Sequence, residues 1–281
     1  MTTTPMEMRR LFHVAIPNFG RGSSVEAMTE IAQEAEELGF DGIGTTDHLL
    51  VPKGEPQRYE RIFDALVMLG YLAAHTKRVR LMTTVIVLLM RNPFVVAKQA
   101  ATVDQLSGGR LILGLGVGWQ EQEFANVHMD FRNRGRRMDE ALQLFRHLFS
   151  GSSEPFRGRY YSYEDGIFDP LPVQREKLPV MLGGNSDAAV RRAAHSAELW
   201  ESTGVDPEAW KESAAKLREW AGERHVEAGA RINLTGSPAE MLEQAKRWRD
   251  AGAEHLMLGL GFSDGFVERM RTFAREVKPA L

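Results

Sequence analysis

The sequence predicts a (β/α)8 barrel, and three observations carry the prediction. Short apolar runs alternate with amphipathic helical stretches along the whole chain; one run, VRLMTTVIVL at 79–88, is too apolar to have a wet face; and the alternation repeats eight times. A run without polar alternation suits a parallel strand covered on both sides. Each parallel strand needs a crossover helix, and eight such units close into a barrel. A doubly wound open sheet is the competing architecture, and the repeat number favours the barrel.

The elements follow in order. Residues 11–17 (LFHVAIP) read as the first strand. Residues 23–38 have helical spacing through Val25, Met28, Ile31, Ala32, Ala35 and Leu38, with Ser23 or Ser24 as N-cap and Gly39 as the stop. The second strand covers 40–45, and a helix over 59–75 leads to the third strand at 79–88. Helix 93–106, strand 110–115 and helix 135–149 follow. An irregular stretch at 150–177 is rich in Pro, Gly and aromatics. Then come strand 179–182, helix 186–196, strand 198–202, helix 207–228, a weak strand near 231–234, helix 238–251, strand 255–260 and helix 264–277. No linker or low-complexity segment divides the chain. Residues 1–281 are therefore read as one domain, with a flexible N-terminus at 1–10 and an inserted loop and hairpin at 150–177.

Composition narrows the function. The chain has 281 residues, 43% of them hydrophobic, a formal charge of −3 and no cysteine. Without a concentrated basic surface, nucleic acid and anionic membranes are disfavoured partners. The absence of cysteine removes disulfides, thiol nucleophiles and Cys-ligated metals. The stretch MTTTPMEMRR has no apolar signal core, and no apolar run reaches the ~18–20 residues of a membrane span. The expectation is a cytoplasmic protein with a small-molecule partner.

Three stretches carry chemistry. GTTDHLL at 44–50 ends the second strand with Asp47 and His48, on the rim where such barrels hold active sites; a capped turn and a satisfied surface histidine is the structural alternative. LSGGRLILGLGVGW at 106–119 places Gly114, Gly116 and Gly118 at the end of the fourth strand. Glycine there implies close approach to the backbone, by a flat ring or phosphate chain or by tightly packed strands. LPVMLGGNSDAAVRR at 178–192 runs from a strand through Gly183 and Gly184 into a helix opened by Asn185 and Ser186. A helix start with close backbone access is an anion site, or simply a capped helix. Thr83 and Thr84 interrupt the third strand and are also ordinary strand formers. Trp119, Phe124, His128 and Trp200 can wall a pocket or fill the core. Arg134, Arg136 and Arg137 face Asp139 and Glu140 as a salt-bridged helix start. The remaining histidines have no metal-ligand spacing.

With these residues in view, the chain resembles the bacterial luciferase-like family of flavin- and deazaflavin-dependent oxidoreductases. The resemblance rests on TTVIVLLMRNPFVVAKQAATVDQLSGGRLILGLGVGWQEQEF, RGRRMDEALQLFRHLF and LPVMLGGNSDAAVRRAA, and it spans nearly the whole chain. It is strongest toward actinobacterial members assigned to coenzyme F420, a 5-deazaflavin. It implies a single-domain barrel with an insertion after the fourth helix, a homodimer, and a cofactor across the C-terminal mouth. It further implies a non-proline cis bond at Thr84–Val85 behind the ring, phosphate on Gly183, Gly184, Asn185 and Ser186, and Val117 and Gly118 against ring or ribityl chain. Asp47 would lie near the ring edge, and His48 would move the proton. The implied activity is hydride transfer between C5 of the deazaflavin and a small organic substrate; the alternative is an FMN-dependent monooxygenase using O2. Sugar-phosphate dehydrogenases of the family carry a carboxylate where this chain has Trp119, which disfavours such substrates. ELWEST at 198–203 departs from the usual Asp-Gly-Trp, with Leu199 in place of the glycine, and the stretch 229–236 looks trimmed. Loops 49–58, 119–134 and 150–177 contain Leu49, Leu50, Phe124, Phe131, Phe156, Tyr160, Tyr161 and Phe168, which suggest an apolar ligand. A phosphate-binding isomerase or aldolase on the same fold would want a lysine or carboxylate pair at the strand ends; Lys53 and Lys98 lie in a loop and a helix.

Overall fold

The computed structural model describes residues 11–20, 22–54, 59, 61–261 and 264–281. The flexible N-terminus expected at 1–10 and most of the tip of loop 49–58 lie outside the described residues. Eleven strands and nine α-helices are described: β1 (Leu11–Ala15), α1 (Val25–Glu37), β2 (Gly42–Thr45), α2 (Ala65–His75), β3 (Arg80–Thr83), β4 (Ile86–Val87), α3 (Pro93–Ser107), β5 (Leu111–Gly116), α4 (Glu121–Asn126), α5 (Arg134–Ser150), β6 (Phe156–Arg157), β7 (Ser162–Tyr163), β8 (Val180–Gly183), α6 (Asp187–Ser196), β9 (Leu199–Thr203), α7 (Pro207–Ala221), β10 (Glu227–Asn233), α8 (Pro238–Ala251), β11 (His255–Gly259) and α9 (Phe266–Thr272).

Nine of the strands form one parallel sheet in the order β3-β2-β1-β11-β10-β9-β8-β5-β4, closed by pairing of β3 with β5. β3 and β4 are two halves of one stave, so the sheet is an eight-stave (β/α)8 barrel. The two remaining strands, β6 and β7, pair as an antiparallel hairpin in the irregular stretch. Alternate strand residues divide between two cores, as the period of two demands. Phe12, Val14, Leu111 and Leu113 face the helices, whereas Ala15, Met82, Ile112, Met181, Leu199 and Met257 pack together inside the barrel. Helix starts are capped as the sequence suggests: Ser24 Oγ accepts from Ala27 N–H, and Ser186 Oγ from Ala189 N–H.

Five elements differ from the sequence reading. The third strand does not run unbroken over 79–88. It kinks at a cis Thr84–Val85 peptide and ends in a 3₁₀ turn at Leu88–Met90. Met82 pairs with Ile112 and Ile86 with Leu115, so this stave takes four steps where β5 takes three. One extra residue bulges inward. The second helix starts at Ala65 rather than 59, because Asp64 caps it through Val67 N–H. Helix α7 stops at Ala221 rather than 228, and β10, the seventh stave, starts at Glu227 rather than 231. EAGARIN has weak strand propensity, but ladders from β9 and β11 on either side override it. The expected trimming of 229–236 is therefore replaced by a seven-residue strand. Finally, α4 is a short helix that the sequence reading missed; six residues are too few to show a period.

Candidate active site

All eight staves release their chains into one cavity of about 790 Å³ at the C-terminal mouth of the barrel. Asp47, His48, Thr84, Val85, Val117, Gly118, Gly183, Gly184, Asn185 and Ser186, singled out from the sequence, all line it.

The glycines and the bulge fit one another. A Cβ on Gly114 would lie 1.7 Å from the Thr83 carbonyl oxygen, so only glycine admits the bulged backbone. Thr83 Oγ1 seals this contact by donating to Gly114 O at 2.7 Å and accepting from Gly114 N–H at 2.8 Å. A Cβ on Gly116 would likewise meet the Val85 side chain at 2.6 Å. These two glycines thus accommodate the protein's own bulge, the packing half of the alternatives read from sequence. The bulge in turn presents Val85 and Thr84 to the cavity.

His48 is 8% exposed, and its Nδ1 lies 2.9 Å from Glu123 Oε2. Glu123, 1% exposed on α4, accepts through its other oxygen from Leu49 N–H at 2.6 Å and Leu50 N–H at 3.2 Å. Burial alone would raise the Glu123 pKa, but the His48 contact and the two N–H donors hold it below the ordinary carboxylate range. An ionised carboxylate only accepts, so it places the imidazole proton on Nδ1 and leaves Nε2 as the nitrogen that can accept. Tyr59 packs on the ring at a centroid distance of 4.4 Å, and Trp119 stands edge-on at 6.2 Å.

Asp47 is 2% exposed and already engaged. Its Oδ2 accepts from Val87 N–H at 3.0 Å, and its Oδ1 from Arg91 at 2.5 Å; Arg91 also pairs with Asp64 at 3.0 Å. Burial raises the Asp47 pKa, opposed by Arg91 and the Val87 N–H. The carboxylate therefore ties the end of β2 to the β4 stave, which fixes the bulge; neither oxygen is left over for proton transfer.

On the opposite side, Gly184 has φ 134°, a backbone angle that favours glycine, and leads through Asn185 into the N-terminus of α6. Asn185 is pinned by donating to Thr203 O at 2.7 Å, and Trp200 Nε1 donates to Gly184 O at 2.9 Å. The Asp187 carboxylate is drawn aside to Lys216 Nζ at 2.7 Å. The result is a glycine-backed helix start open to the cavity, which suits a phosphate.

Some expectations change. Phe124 is buried, and Trp200 stacks on Trp210 at 6.0 Å, so both serve the core. None of Leu49, Leu50, Phe124, Phe131, Phe156, Tyr160, Tyr161 and Phe168 lines the cavity; its aromatic walls are Phe19, Tyr59 and Trp119. Asp139 pairs with Arg192, and Glu140 accepts from the N–H groups of Arg159, Tyr160 and Tyr161, whereas Arg134 turns to the cavity. Leu199, at the position of the missing glycine, packs inside the barrel. Sequence reasoning missed Glu123, Arg91, Glu201 and Arg231. Glu201, in ELWEST, receives the Thr84 hydroxyl at 2.5 Å, and Arg231 donates to Thr46 Oγ1 and Thr84 O. Only the departure from Asp-Gly-Trp pointed toward any of these four. Among the described residues no group of three or more His, Asp or Glu could hold a metal ion, and no helix is long and apolar enough to cross a membrane.

Comparison with known proteins gives a consistent placement. The family model described as luciferase-like monooxygenase matches residues 11–274. An uncharacterised protein of Mycobacterium tuberculosis is 28% identical over 258 residues, covering 85% of this chain and 88% of that protein. An F420-dependent glucose-6-phosphate dehydrogenase of Microbacterium testaceum is 34% identical over 184 residues, covering 63% of this chain and 53% of that protein. Among solved structures, the monooxygenase RslO1 from Streptomyces bottropensis superposes with a TM-score of 0.85 at 20% identity, covering 96% of this chain and 99% of that one. This last likeness speaks to the fold.

Proposed function

The chain belongs to the luciferase-like monooxygenase family, and from that premise we propose that it is an oxidoreductase that binds coenzyme F420 and moves a hydride between the deazaflavin C5 and a small organic substrate. The observation that carries the reading is the joint exposure, in one cavity, of a carboxylate-oriented histidine, a bulge carrying Val85 and a glycine-backed helix start. The bound deazaflavin would supply the carbon that takes or gives the hydride. Gly183, Gly184, Asn185 and Ser186 would hold its phosphate, with Thr84, Val85, Val117 and Gly118 against the ring or ribityl chain. His48 would then take or give the substrate's proton at Nε2, its Nδ1–H held by Glu123. Asp47 acts by holding the bulge through Val87 and Arg91, at the ring edge rather than in the proton transfer.

The F420-dependent relative supports deazaflavin as the cofactor. Trp119 stands where sugar-phosphate dehydrogenases of the family carry an acid, so the reading does not extend to sugar phosphates. With Phe19, Tyr59 and Trp119 beside polar groups, the cavity suits a substrate with an apolar body and one oxygen function. A second reading, an FMN-dependent monooxygenase using O2, is favoured by the family description and by the fold likeness to RslO1. The reading includes a single domain in the cytoplasm and a homodimer. Val67 and Tyr71 on α2 and Val95 and Leu106 on α3 are exposed and would supply an apolar contact face.

Titration of the purified protein with oxidised F420 and, separately, with FMN tests the assignment. Micromolar or tighter binding of F420 alone is expected. Preference for FMN would transfer the assignment to the monooxygenase, and binding of neither would remove the cofactor reading altogether.

A further inference from the structure

The sequence pairs Arg134, Arg136 and Arg137 with Asp139 and Glu140, but both acids find other partners in the fold. Asp139 accepts from Arg192 Nε, and Glu140 accepts from the backbone N–H groups of Arg159, Tyr160 and Tyr161. Arg137 Nε turns to the Tyr161 hydroxyl at 3.1 Å. Arg134 is left on the wall of the cavity, and among the described residues it forms no ion pair.

Its guanidinium is nevertheless held in place. Nε donates to Gly118 O at 3.3 Å and Nη1 to Phe131 O at 2.9 Å. The guanidinium carbon lies 3.6 Å from the centroid of the Phe131 ring, which stands edge-on to the buried Phe124 at 5.1 Å. All these partners are neutral, so they orient the group without cancelling its charge, and Nη2 has no hydrogen-bond partner among the described residues. Arginine stays protonated throughout the accessible pH range. Arg134 is also the first residue of α5, whose first turn contains no acidic side chain. A cation at the positive end of a helix is unfavourable, and such a violation is kept where a ligand answers it.

The cavity wall around Arg134 shows which ligand that is. Gly118, which holds Nε, is followed by Trp119, and the Trp119 ring stands edge-on to His48 at 6.2 Å. Arg134, Trp119 and His48 therefore share one side of the cavity, whereas the glycine-backed start of α6 provides separately for a phosphate. The open end of a fixed guanidinium matches a planar carboxylate. We propose that Arg134 anchors the substrate by a carboxylate, so that this cavity takes small organic acids: an apolar body against Trp119, the reacting oxygen function toward His48 and the carboxylate on Arg134. This inference rests on the oxidoreductase reading of the cavity and names the substrate class within it.

The test is calorimetric titration of the full-length protein, with and without F420, using 3-phenylpropionate and its neutral analogue 3-phenylpropionamide. The wild type should bind the carboxylate about tenfold more tightly than the amide, with the advantage shrinking as salt is added. Arg134→Met should bind the two alike, at the affinity of the amide, and Arg134→Lys should keep part of the preference. Affinity for F420 should change less than about threefold in Arg134→Met. Thermal melting establishes that each variant is folded, and Arg134→Gln replaces Met if the latter is not. A wild type without preference for the carboxylate, whether it binds both compounds equally or neither, overturns the proposal. So does a folded Met or Gln variant that keeps the preference. A loss of F420 affinity as large as the loss of carboxylate affinity would assign the oxyanion to the cofactor and overturn it as well. If F420 binds and the preference is absent, this inference fails alone; if F420 does not bind and the apo protein shows the preference, the cofactor reading fails and the carboxylate site stands.

Discussion

Replacing Glu123 by Gln tests the orientation of His48 with almost no change of shape. The carboxylate makes three contacts: 2.9 Å to His48 Nδ1, 2.6 Å to Leu49 N–H and 3.2 Å to Leu50 N–H. Glutamine keeps an oxygen for the two backbone donors but turns an NH2 toward Nδ1. A donor cannot face an N–H, so His48 must move its proton to Nε2 or lose the contact. Exchanging charge-assisted bonds for neutral ones costs about 1 kcal/mol each. A total near 2 kcal/mol lowers Tm by about 4–8 °C for a domain of this size class. The functional effect should be larger, since a general acid–base group in the wrong tautomer forfeits much of its ~10²–10⁴-fold contribution. Imidazole ¹⁵N–¹H spectra read the tautomer directly, with His48→Asn identifying the signal. The wild type should show the Nδ1–H form and the variant the Nε2–H form, with F420 affinity changed less than about threefold. Wild-type His48 in the Nε2–H form, or undiminished turnover in the variant, would refute the reasoning.

Three further outcomes are expected. Arg91→Met strands Asp47, whose other charged neighbour is Asp64, and removing one partner of a buried ion pair costs about 3–5 kcal/mol; denaturant unfolding measures it, and a loss under 1 kcal/mol would contradict the role given to the pair. Gly114→Ala puts a methyl group 1.7 Å from the Thr83 carbonyl, contact that backbone must move to relieve, so at least about 3 kcal/mol should be lost by the same assay. Stability should also fall on both sides of neutrality, for reasons in the barrel floor, where the His13 and His255 rings lie 5.8 Å apart. His255 is raised to about 9, so its contribution is complete below the unfolded value near 6.5 and is lost as pH rises toward 9. His13 is lowered to about 3, chiefly by burial and then by His255, so the unfolded chain gains a proton that the folded one refuses as pH falls below about 6.5. Melting curves of His255→Gln should lose the alkaline decline, and a variant that keeps the wild-type slope would show that another group titrates.

What was legible in the sequence was local or periodic. Apolar runs without alternation announce buried parallel strands, and Ser24, Ser186 and Gly39 punctuate helices through their own backbone chemistry. The residues at the ends of those runs, from Asp47 and His48 to Asn185 and Ser186, fall on one rim because parallel staves all point the same way. Their chemical division of labour was not legible. Asp47 and His48 are neighbours in the chain, yet one is bound by Arg91, 44 positions on, and the other by Glu123, 75 positions on. Gly114 reads equally well as room for a ligand or room for a bulge, and only the register of the third stave against β5 decides that it holds the Thr83 carbonyl. Arg231 sits in a strand that the sequence shows only weakly, and it reaches the cavity because β9 and β11 supply the hydrogen bonds its own composition does not favour. A single sequence determines which segments must be buried and how each begins and ends. Which side chains share a charge, a proton or a cavity is set by barrel closure, which joins residues far apart in the chain.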